Sequence, residues 1–112
     1  MLVIMLSWFS GNIWAQTTYY AVTSGDWHSQ IWSTAPGGSP TYNPPIGANN
    51  NNFVINVNIT VIHQPGTSST VSGTVEVFGR LEVGGNRTLR VNNNVTIRGG
   101  GIIHSHNGIL EV

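Results

Sequence analysis

The chain has 112 residues and a formal net charge of zero, with only 7% of its residues charged, against about a quarter in an ordinary soluble domain. Balanced charge leaves no electrostatic drive toward nucleic acid or an anionic membrane, and the lack of cysteine removes disulfides and thiolate metal sites. The length suits one domain, and average hydrophobicity with so little charge is not the composition of a disordered chain.

Residues 1–16 differ from everything after them. MLVIMLSWFSGNIWAQ carries an apolar run from Leu2 to Phe9, then Gly11 and Asn12, then a small residue at Ala15. That order matches the apolar region and cleavage zone of a secretory signal peptide, although no Lys or Arg precedes the run. The run is far short of the ~20 residues a membrane span needs. Export is expected, with cleavage near Ala15 or Gln16 and a secreted or cell-surface address.

Residues 17–52 form the next unit, an N-terminal cap strand and a Pro/Gly/Asn-rich loop. Thr17 to Val22 alternates weakly as a first strand, and Ser24-Gly25-Asp26 signals a turn. Pro36-Gly37-Gly38, Pro40 and Pro44-Pro45 exclude a helix or a central strand. Asn49 to Asn52 then lead into FVINVNITV, which reads as one period-2 strand. Phe53, Ile55, Val57, Ile59 and Val61 share one of its faces, and Asn56, Asn58 and Thr60 the other. No stretch after the leader has a capped, helical apolar stripe, so an all-β chain is expected.

Residues 53–112 carry a repeat. Val75-Glu76-Val77, Leu81-Glu82-Val83, Leu89-Arg90-Val91 and Val95-Thr96-Ile97 are four copies of one short phrase bracketed by Gly or Asn. The leading apolar residues Val75, Leu81, Leu89, Val95, Ile103 and Leu110 are spaced six, eight, six, eight and seven apart, so three consecutive gaps sum to 20, 22 and 21. Strands so short would bury little in a meander of hairpins. The spacing instead predicts a right-handed single-stranded parallel β-helix of about 20–22 residues per coil, with three short strands per turn and alternate apolar residues stacked inside. Gly and Asn fall at the corners, where a positive φ is needed.

That register makes definite claims. Val75 and Val77 stack with Val95 and Ile97, Leu81 and Val83 with Ile103 and Ser105, and Leu89 and Val91 with Leu110 and Val112. Outside, Arg90 lies beside Glu111 and Glu82 beside His104. The last phrase, Gly108 to Val112, has the form of Gly79 to Val83. A bare parallel edge invites pairing and solenoids close with a polar repeat, so further coils of the same protein or another chain are expected over the C-terminal edge.

The order Ser24-Gly25-Asp26-Trp27, Trp32, a Pro/Gly-rich loop, an Asn-rich approach to a Val/Ile strand and then the repeated phrases resembles secreted parallel β-helix proteins of Bacteroidetes-type bacteria. It is also similar to glycine-rich G8-like β domains. The resemblance implies that this region begins a solenoid, with adhesion or glycan-processing modules often lying further on.

Two groups could carry chemistry. Trp27 and Trp32 are five apart, and exposed indole faces would suit sugar rings; the preferred reading is that both cover the end of the tube, where aromatics bury most area per residue. His104-Ser105-His106 puts two imidazoles on one strand face, and Glu82 beside them would complete a two-His, one-carboxylate metal set, though solvated surface residues are the commoner outcome. His28 and His63 sit beside turns with no evident partner. Acid–base catalysis needs positioned ionisable groups, and Asp26, Glu76, Glu82 and Glu111 are the only acids. No catalytic residue and no cofactor are expected. The preferred reading is a non-catalytic structural or adhesive segment of a secreted or cell-surface β-helix protein, in contact with extracellular glycan or a surface. The alternative is the N-terminal part of a larger secreted carbohydrate-active enzyme, a polysaccharide lyase or hydrolase.

Overall fold

A computed structural model describes residues 17–43, 51–63 and 68–112. The leader (1–16) and the Pro44-Pro45 part of the cap loop lie outside the described residues. Within them the chain is all-β, with no helix.

Twelve strands follow in chain order: β1 (Thr18–Ala21), β2 (Gly25–Asp26), β3 (Trp32–Ser33), β4 (Asn52–Ile55), β5 (Thr60–His63), β6 (Ser69–Val71), β7 (Val75–Val77), β8 (Arg80–Gly84), β9 (Thr88–Val91), β10 (Val95–Ile97), β11 (Ile102–His106) and β12 (Ile109–Glu111). They assort into three sheets. The first has the order β10-β7-β4-β1-β3, the second β11-β8-β5-β2 and the third β12-β9-β6. From β4 onward, successive strands go to the first, second and third sheet in rotation, and each pairs in parallel with the strand three later. Among the described residues, the one antiparallel pair of strands is β1 with β3, which sets Ala21 opposite Trp32.

The expected register is present. Val75 and Val77 pair with Val95 and Ile97, Leu81 and Val83 with Ile103 and Ser105, and Leu89 with Leu110; the expected Val91–Val112 pair does not form, because β12 ends at Glu111. Because side chains alternate along a strand, alternate residues of all three sheets meet in one core: Phe53, Ile55, Val75 and Val77 from the first, Val61, Leu81 and Val83 from the second, Val71, Leu89 and Val91 from the third. Each aliphatic side chain so buried contributes about 1.5–3 kcal/mol relative to leaving it in water.

FVINVNITV is not one strand. It divides into β4 and β5 around a corner at 56–59, where Asn58 takes φ 65° and Val57 turns out to solvent at 63% exposure. Alternation resumes in the same phase beyond the corner, which is why the sequence reads as unbroken. Asn86, Asn107, Gly85 and Gly99 also have positive φ at corners. Gly79 serves differently. A Cβ there would run into the carbonyl oxygens of Asn56 and Ile59 in the corner of the preceding layer, so its role is close approach. That two-residue corner (78–79) lies between four-residue corners at 56–59 and 98–101.

Candidate functional site

Trp27 and Trp32 are 1% and 0% exposed. Their ring centroids lie 5.0 Å apart, and each is within 5.1 Å of Phe53. The Trp32 indole N–H donates to the Trp27 carbonyl at 2.9 Å. A platform for sugar needs a free ring face, and neither indole has one. This corrects the carbohydrate reading of the pair: β3 carries Trp32 inward beside β1, and Trp27, just after β2, is tied to β5 by its backbone N–H donating to the Ile62 carbonyl.

The outer wall of the second sheet assembles the other predicted group. Parallel pairing sets Glu82 directly beside His104, and Gly84 beside His106. One ligand atom each from Glu82, His104 and His106 fall within 4.8 Å of one another. The His106 Nε2 to Glu82 Oε1 distance is 3.7 Å, and the two imidazole centroids are 5.3 Å apart. Arg80, two residues before Glu82 on β8, donates from Nε to Glu82 Oε2 at 2.7 Å and places Nη2 3.2 Å from His104 Nδ1. The Arg80 hydrogen bond holds the Glu82 carboxyl below its ordinary range.

Sequence reasoning missed two further groups. His63 is fully buried, and neither ring nitrogen has a hydrogen-bond partner. It packs on Trp27, whose indole N–H is likewise unpartnered, and it pairs along the sheet with Val83. Burial, with His28 adding a smaller push, lowers its pKa from 6.5 to about 4, so it is neutral near pH 7. The signal was the alternation itself: His63 continues the inward Val61 phase of β5.

The second group is a line of three side chains. His28 Nε2 lies 3.0 Å from the Ser69 hydroxyl and its Nδ1 3.4 Å from Asp26 Oδ1. Ser69 is 41 residues away in the chain, beyond reach of any local motif. The Asp26 oxygen accepts the His28 backbone N–H at 2.7 Å, so it closes the turn after β2 before it orients the ring.

Charge is used across strands. Arg98 reaches Glu76 at 2.8 Å and Arg90 reaches Glu111 at 2.5 Å, so with Arg80 and Glu82 every glutamate has an arginine partner. A surface groove of about 710 Å³ lies on the outside of the first sheet, where Tyr20, Asn52, Asn56, Glu76 and Phe78 contribute. Comparisons with protein families, with curated proteins and with solved structures find no match to this chain.

Proposed function

We propose that the chain is a non-catalytic structural or adhesive segment of an exported parallel β-helix protein, wound right-handed and akin to the G8-like β domains its motifs resemble. Rotation of successive strands through three parallel sheets supports the winding, and the leader-like residues 1–16 support export. The observation that carries the function is the use of the acids: all three glutamates are held by arginines, leaving no free carboxylate pair for acid–base work. Contact with extracellular glycan goes through the groove rather than the buried tryptophans, because Tyr20 and Phe78 supply ring surface there beside amide groups. The apolar outer layer, with Ile97 54% exposed, favours a cover over that edge, either coils of the same protein or another chain.

A hydrolase has one observation in its favour, the Ser69–His28–Asp26 line, since a hydroxyl, an imidazole and a carboxylate in that order are the parts of a nucleophilic triad. The 3.4 Å gap and the engagement of Asp26 by backbone argue against it. Two assays on the purified chain test the proposal: turnover of acidic polysaccharides, and hydrolysis of a p-nitrophenyl ester by the parent and by Ser69→Ala. No polysaccharide turnover and identical ester rates are expected. Polysaccharide cleavage, or ester hydrolysis lost with Ser69, overturns it. Binding on a glycan array that weakens in Tyr20→Ala is the expected adhesive readout.

A further inference from the structure

We infer that Glu82, His104 and His106 form a binding site for a divalent transition-metal ion of the zinc type, clipping β11 to β8 on the outside of the second sheet. The inference does not depend on the adhesive reading, since it rests on side chains of a different wall.

Three observations converge. First, the donor set is chemically matched: two imidazoles and one carboxylate suit borderline ions such as Zn²⁺, which takes three protein ligands and leaves a position for water. Second, the backbone fixes the placement. Glu82 and His104 are direct neighbours across the parallel pair, and His106 is the next residue on the same face of β11. With one donor atom each already within 4.8 Å, small side-chain rotations close the set around an ion whose bonds are about 2.0–2.2 Å. Third, the wall makes room for the His106 ring. A Cβ at Gly84 would meet His106 Cε1 at 3.0 Å and Nδ1 at 3.3 Å, so the imidazole leans over bare backbone and is steered toward Glu82.

Arg80 has two opposed roles. Its hydrogen bond to Glu82 Oε2 orients the carboxylate, leaving Oε1 directed at His106. Its Nη2, however, occupies His104 Nδ1, and its charge opposes a second cation. The metal must therefore take the other nitrogen of His104 or displace the guanidinium.

The test is a titration of the tag-free chain with Zn²⁺, followed by calorimetry and by the histidine side-chain signals in NMR. Saturable one-to-one binding is expected, with His104 and His106 signals shifting and those of His28 and His63 unmoved. Glu82→Gln and His104→Gln should each weaken binding tenfold or more, since each removes a direct ligand and even an outer-shell partner is worth about 10–100-fold, while Arg80→Gln should tighten it. Zn²⁺ should also raise the melting temperature of the parent chain and not of His104→Gln, because an ion held only by the folded state stabilises it. All three residues face outward and are at least partly exposed, so the variants should fold, which circular dichroism checks. Absence of saturable binding, or binding indifferent to both Glu82→Gln and His104→Gln, overturns the inference.

Discussion

The two ends of the three sheets follow one register and differ in what closes them. At the β1–β3 end, Trp27, Trp32, Phe53 and Tyr19 pack ring against ring over the first apolar layer. At the β10–β12 end the equivalent inward positions, Val95, Ile103 and Leu110, are only partly buried and Ile97 is 54% exposed. Leu89 is completely buried, while its neighbour Leu110 in the same column is not. Identical backbone pairing thus yields different burial, because parallel hydrogen bonding positions a side chain and only a further layer removes it from water.

Substitutions at the two ends should expose that asymmetry. Trp32→Ala removes a fully buried ring that packs on both Trp27 and Phe53 and should cost about 4 kcal/mol, near the top of the range for core truncations; urea unfolding measures it, and a loss under about 1 kcal/mol would show that the cluster does not close the core. Leu89→Ala should cost about 3 kcal/mol and Leu110→Ala about 1 or less, as expected for a cavity against a half-solvated site. Equal losses would mean that the outer layer is covered in solution.

Acid should act through the closed end. The folded pKa of His63, about 4, lies below the unfolded 6.5, so the unfolded state binds the proton first. Stability is fully present above pH 6.5 and falls as the pH drops toward 4, by about 3 kcal/mol at most for such a shift. Urea midpoints between pH 7 and pH 4 should show this slope, and His63→Leu should flatten it. A slope that persists in that variant would move the cause elsewhere. The smallest effect belongs to Arg90 and Glu111, exposed and on the outer strand pair; a double-mutant cycle should return under about 1 kcal/mol, vanishing at high salt.

Much of this arrangement was legible from spacing alone. Gaps summing to 20–22 residues placed Leu89 beside Leu110 and Glu82 beside His104, because in parallel pairing one column repeats at one interval. What stayed hidden has physical reasons. The corner inside FVINVNITV hides because Asn58 reaches positive φ at little cost and alternation resumes in phase. For the tryptophans the sequence favours core but leaves a platform open, since five-residue spacing carries no face until β3 turns antiparallel to β1. The contact between His28 and Ser69 depends on how β2 and β6 approach, which no pattern in either segment encodes.

The corners between the first and second sheets accept either two residues or four while the strands on both sides keep step. Length at that edge is therefore uncoupled from the walls. A peptide spliced between Arg98 and Gly101 would protrude as a free loop, making this ridge a natural position for displaying foreign epitopes on an otherwise unchanged support.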